Sequence, residues 1–218
     1  MNPQNITIEE CSAQLSSDEQ QKACEFVFPH SRKQYIICRY SLRKILSYYL
    51  NVQPTKIEFV YNAYGKPSIK NKELEFNLSY RNEHSLLAVT RQSVIGIDIE
   101  HMSHELDLFP MARIIFSPSE YQDFLSLDDH SKYQAFYQAW TCKEAFTKCL
   151  GWGLSFDVKC CQVNLKSPNK IELLSITYPQ LTAENYQAYN VKTDMSDYIA
   201  VAVAQGDLKE PRYFNFQP

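Results

Sequence analysis

With 218 residues, 44% of them hydrophobic, the chain can bury a substantial core as one large domain or two small ones. A formal net charge of −3 argues against general affinity for nucleic acid. No long uncharged apolar run and no basic-plus-apolar leader occurs, and the seven cysteines include no Cys-x-x-Cys pair, so the chain is expected to be a cytoplasmic protein with free thiols, neither membrane-bound, secreted nor zinc-stapled.

In chain order, Ile6-Thr7-Ile8 reads as a short strand, and Ser16 to Gln20 as a helix start. Pro29-His30-Ser31 is a break. From about Arg32 to Leu50 the period is helical, with Cys38, Leu42, Ile45 and Tyr49 as an apolar stripe. Arg32, Arg39 and Arg43 fall on another face. They read either as the solvated basic side of an amphipathic helix or as a cradle for an anion, because guanidinium pairs well with phosphate. Ile57 to Val60, Phe76 to Tyr80 and Ser85 to Thr90 read as strands, and Tyr64-Gly65-Lys66-Pro67 as a turn. With only five glycines there is no glycine-rich phosphate loop, so a bound phosphate must be held by side chains.

Val94 to Glu100 alternates β-branched residues with acids, which is a strand pattern. Ile97 and Ile99 should point into a core, and Asp98 and Glu100 the other way, about 7 Å apart along the strand. Two neighbouring carboxylates repel, so this pair is either solvated or screened by a hard divalent cation such as magnesium.

A polar loop follows near residues 101–107. Ser117-Pro118-Ser119-Glu120 has the form of a capping box. A longer helix is expected from about Tyr133 to Leu150, stopped by Gly151. Ala135, Ala139, Cys142, Phe146 and Cys149 form its apolar stripe. Tyr137, Thr141, Glu144 and Lys148 lie nearly opposite, where Glu144 and Lys148 can be an ordinary exposed pair worth about 0.2–0.5 kcal/mol. Residues 159–165, 171–177, 186–192 and 198–204 read as strands. The order helix-then-strands thus occurs twice. The expected fold is α+β, with two similar pseudo-two-fold-related halves, 1–100 and 101–218. Each is a helix packed on a small, mainly antiparallel sheet, with a ligand site at their interface.

Gly96-Ile97-Asp98-Ile99-Glu100, followed some forty residues on by Trp140-Thr141-Cys142-Lys143-Glu144-Ala145-Phe146-Thr147-Lys148, resembles the paired signatures of the 4'-phosphopantetheinyl transferases. Gly65-Lys66-Pro67, Phe76-Asn77-Leu78-Ser79 and Phe116-Ser117-Pro118 support the likeness. Their order is similar to the two-domain, surfactin-synthetase-activating type rather than the short trimeric type. The resemblance covers about residues 30–155.

It implies transfer of the 4'-phosphopantetheine arm of coenzyme A to a serine of an apo acyl or peptidyl carrier protein, leaving adenosine 3',5'-bisphosphate. By that likeness Asp98, Glu100 and Glu144 hold Mg2+ on the coenzyme's diphosphate, either Glu144 or a metal-bound water takes the serine proton, with Glu144 favoured, and Lys148 assists the leaving phosphate. Lys66, Ser79, Tyr80, Lys148 and one or more of Arg32, Arg39 and Arg43 contact coenzyme phosphates. Tyr80 departs from the family's usual His, exchanging a chargeable imidazole for a phenol. It keeps open a second reading, a carrier-protein- or coenzyme A-binding homologue without turnover. A third is an unrelated α+β binding module with solvated acids. A monomer is expected, since two halves supply what the short type needs several chains for.

Overall fold

The computed structural model describes residues 6–167, 170–206 and 210–217. Its helices are α1 Ile8–Ala13, α2 Ser17–Cys24, α3 Pro29–Leu50, α4 Leu108–Ile115, α5 Pro118–Ser126 and α6 Asp129–Leu150. Its strands are β1 Phe59–Tyr61, β2 Pro67–Ile69, β3 Glu75–Arg81, β4 His84–Thr90, β5 Ile95–His101, β6 Cys161–Val163, β7 Leu173–Ile176, β8 Tyr186–Asn190 and β9 Tyr198–Gln205. The fold class is α+β: the pairs β3–β4, β5–β9, β8–β9 and β6–β7 are all antiparallel.

Compactness divides the chain differently from a cut at residue 100. One unit comprises Met1–Phe59, Ile69–Glu73 and Pro211–Pro218; the other comprises Val60–Ser68 and Leu74–Glu210. The strand carrying Asp98 therefore belongs to the same unit as the helix carrying Glu144.

In the first unit the stretch expected as a strand at Ile6-Thr7-Ile8 is a helix start. The Thr7 hydroxyl accepts from Glu10 N, and the Glu10 carboxylate accepts from Thr7 N at 2.8 Å. That reciprocal cap satisfies two otherwise orphan donors, which three β-prone residues with no partner strand cannot match. Ser16 and Glu19 repeat the device at the start of α2. Cys11, Leu15 and Ala23 pack against Ile36 and Tyr40 of α3. The stripe on α3 is rotated from the one expected: Leu42 and Leu46 are buried, whereas Tyr49 is exposed.

In the second unit α6 is the central element. Ala139, Cys142, Ala145, Phe146 and Cys149 are fully buried, with Val201 and Val203 of β9 in the same core. Tyr137, Thr141 and Lys143 are buried too, so α6 is enclosed on most sides rather than amphipathic. Helix α4 went unforeseen. Asp107 caps it by accepting from Phe109 N, and Pro110 sits within its first turn, where a missing N–H costs nothing.

Candidate active site

The site is set by the approach of α6 to β5. A Cβ at Gly96 would lie 2.0 Å from Ala145 O and 2.3 Å from Cys149 N, so the strand and the helix touch backbone to backbone there. Two residues further along β5, Asp98 then meets Lys148 of α6: Lys148 Nζ donates to Asp98 Oδ1 at 2.6 Å.

Strand β3 supplies the third wall. Its contact with β5 is made by side chains. Asn77 Oδ1 accepts from Ile97 N at 2.9 Å, Ser79 Oγ donates to Asp98 Oδ1 at 2.9 Å, and Arg81 Nε pairs with Glu100 Oε2 at 3.3 Å. Residues 77, 79 and 81 share a face because alternate residues of a strand do. The same alternation turns Tyr80 to the opposite face, where it is 51% exposed. Lys148 Nζ also donates to Ser79 Oγ at 2.9 Å, closing a triangle of Asp98, Ser79 and Lys148.

The triangle is electrostatically incomplete. Asp98 is 4% exposed, yet its Oδ2 is buried and accepts no hydrogen bond. Burial and the Asp98 charge push the carboxyl of Glu144 above its usual range, partly offset by Lys148. Burial and Asp98 raise Glu100 likewise, against Arg81, Trp140 and Lys148, which lower it. Among the described residues no three acids, histidines or cysteines converge as a ready-made metal cage. The donor set is nevertheless all carboxylate oxygen with one buried oxygen bare. That suits a hard cation, which takes one or two carboxylates and completes its shell with phosphate and water.

The structure therefore brings together Ser79, Asp98 and Lys148, with Glu100 and Glu144 within electrostatic reach. Lys66 is turned elsewhere: its ammonium donates to Ile95 O at 3.1 Å and Cys149 O at 3.0 Å. The arginines, in the other unit, fit neither expectation fully. Arg43 is 1% exposed and donates from Nε to Glu19 and from Nη1 to Pro54 O and Ile57 O; Arg39, also buried, pairs with Glu19 and lies over the Phe59 ring. Both are thus held as structural cations rather than as a solvated face, because each guanidinium bonds one oxygen of the buried Glu19 carboxylate. Arg32 is exposed. His84 and His101 pack edge-on against the Tyr198 ring.

Sequence reasoning missed Asn77 and Arg81, although the alternation running from Asn77 through Ser79 pointed to both. It also missed Lys143, which bonds Glu120 Oε2 at 2.9 Å on another side of α6.

The site is thus an acid-bearing strand laid against the helix that carries Glu144 and Lys148. Comparison with known proteins gives the family. Residues 94–203 match the model of the 4'-phosphopantetheinyl transferase superfamily, and residues 2–92 match that of the 4'-phosphopantetheinyl transferase N-terminal region. The chain belongs to this superfamily. It is 39% identical over 152 residues to the 4'-phosphopantetheinyl transferase HetI of a Nostoc species, covering 68% of this chain and 64% of that protein. It is 31% identical over 177 residues to the 4'-phosphopantetheinyl transferase gsp of Aneurinibacillus migulanus, covering 78% and 73%. With Sfp of Bacillus subtilis the identity is 29%, over 90% of this chain and 85% of that one. The match to the Nostoc protein thus spans less than two thirds of that relative's length.

Proposed function

We propose that the protein transfers the 4'-phosphopantetheine group from coenzyme A to a serine hydroxyl of an apo acyl or peptidyl carrier protein. The observation that carries this reading is the bare, buried Asp98 Oδ2 beside Lys148, with Glu144 one turn back on the same helix. The serine oxygen forms a new bond to the pantetheine-bearing phosphorus. The bond from that phosphorus to the bridging oxygen breaks, and its electron pair leaves with adenosine 3',5'-bisphosphate. The serine proton passes to Glu144, a carboxylate one helical turn from Lys148. Lys148 hydrogen-bonds the departing phosphate as its charge grows.

Mg2+, held by Asp98, Glu100 and Glu144, would neutralise charge on the diphosphate when bound. Ser79 orients Asp98 and Lys148. Among the described residues no helix is long and apolar enough to cross a membrane. All seven cysteines are free thiols, which supports a cytoplasmic setting. We read residues 1–100 and 101–218 as two halves of similar build acting as a monomer; the meeting of the two family models between residues 92 and 94 supports a boundary in that part of the chain.

The test is incubation with coenzyme A, magnesium and a panel of apo carrier proteins, read by mass spectrometry. Phosphopantetheinylated carrier is expected. Binding of carrier or coenzyme with no adduct on any carrier would establish the non-catalytic reading.

A further inference from the structure

The chain ties α6 to β5 twice, and the two ties differ in kind. The first, Lys148 to Asp98, lies inside the site and is 30% exposed on the lysine side. The second lies outside it. The ammonium of Lys66 bridges Ile95 O, at the start of β5, and Cys149 O, in the last turn of α6.

Lys66 comes from a turn built to hold it there. Asn62 Oδ1 accepts from the backbone N–H groups of Tyr64 and Lys66, both at 2.9 Å, and Asn62 N donates to Lys66 O at 3.1 Å. Gly65, with φ +84°, supplies the left-handed residue this turn needs. Asn62 Nδ2 then donates to Gly151 O at 2.7 Å, so the same turn covers two carbonyls at the end of α6. Helix ends leave carbonyls without partners and carry partial negative charge, and a lysine there satisfies both. A Cβ on Gly151 would come within 2.9 Å of both Asn62 and Lys66, a measure of how closely the turn is pressed onto the helix end.

The reaction makes the second tie necessary. If Lys148 turns toward a departing phosphate, its hold on Asp98 weakens at the moment when the spacing of Asp98 and Glu144 matters most. The backbone contact at Gly96 sets the spacing of α6 and β5 at one level, and the charged contact one residue beyond Lys148 holds the end of the helix at a second.

We infer that Lys66 is a positioning residue: its ammonium, by bridging Ile95 O and Cys149 O, fixes the register of α6 on β5 and thereby the placement of Glu144 and Lys148, instead of contacting coenzyme phosphate. The turnover half of this inference rests on the proposed transfer.

The test compares Lys66→Met and Lys66→Arg with the unaltered protein in two measurements. The first is amide hydrogen exchange across residues 145–152 without any ligand. Lys66→Met should exchange faster there, and Lys66→Arg, which keeps a charged donor, should recover part of the protection. The second is steady-state transfer together with coenzyme A binding by calorimetry. Lys66→Met should lose about 10²-fold in kcat, the scale of a small misplacement of catalytic groups, with an unchanged coenzyme A Kd. A raised Kd with unaltered exchange overturns the inference and returns Lys66 to the coenzyme. Unaltered exchange alone also overturns it. If Lys66→Met does not fold, the exchange and Kd of Lys66→Arg decide by the same criteria. If the unaltered protein transfers nothing, the proposed function fails, while the exchange result still judges the tie.

Discussion

Two of the lysines on helix α6, Lys143 and Lys148, lie five residues apart and stand in opposite conditions. Lys143 is 1% exposed and fully matched: its ammonium bonds Glu120 Oε2, Val158 O and Cys161 O, and the other oxygen of Glu120 takes Val163 N at 2.8 Å. Glu120 also accepts from Ser117 N and so closes the capping box of α5. Lys148 is part-exposed, and its partner Asp98 keeps one buried oxygen bare. A closed cluster of charges holds elements together; an open one leaves a demand for charge that only something from outside can meet. The two are told apart by counting lone pairs.

That contrast can be broken by measurement. The largest expected effect is on turnover at the open cluster. Asp98→Ala should abolish transfer, and Glu144→Gln should lower kcat by about 10²–10⁴-fold, the usual share of a general base, with the far-ultraviolet circular dichroism unchanged. Near-normal activity in either variant removes that residue from the chemistry. The closed cluster should respond the other way. Lys143→Met strands a buried Glu120 and should cost about 3–5 kcal/mol in urea unfolding, whereas Lys148→Met, which removes a lysine that is itself 30% exposed, should cost less. Equal costs would dissolve the distinction.

Gly96→Ala comes next. Its methyl group meets backbone, not a movable side chain, so the helix must shift, at about 1–3 kcal/mol and with loss of turnover. A fully active, equally stable variant would mean that the close approach sets nothing.

A third buried cluster extends the comparison to acid. Burial raises the Glu19 carboxyl, but Arg39 and Arg43 outweigh it and hold the group below its usual range. A depressed carboxylate contributes stability that is complete above the unfolded value near 4.5 and is lost as pH falls through the lower folded value. Chemical denaturation between pH 6 and pH 3 should show this loss in the unaltered protein and a smaller one in Glu19→Gln. Parallel curves would mean that the pair is not linked to folding.

The smallest expected effect distinguishes neighbours on one strand. Arg81→Gln should weaken coenzyme A binding a few-fold, because its guanidinium shares the face of Ser79 and Asp98, while Tyr80→His should leave it unaltered. Calorimetry giving the reverse would place the phosphate on the other side of β3.

Much of this was legible in the residue order. The β5 acids, the Glu144–Lys148 spacing and the Ser117–Glu120 cap are local patterns, and local patterns survive folding. The fate of Arg39 and Arg43 was not legible, because an arginine row on a helix looks alike whether water or a distant glutamate faces it; Glu19 lies 20 and 24 residues away. The bonds of Lys66 were hidden for the same reason, since its partners are carbonyls, which no sequence pattern marks. Helix α4 was hidden because its eight residues are too few to show a period.

The contact at Gly96 has one more consequence. A side chain can swing aside for a visitor, but two main chains in van der Waals touch cannot. The gap that Asp98 and Lys148 span is accordingly a fixed gauge, not a jaw. Whatever latitude the protein has toward partners of different shape must reside in the side chains around the rim, and attempts to broaden it by loosening the scaffold should sacrifice rate without widening choice.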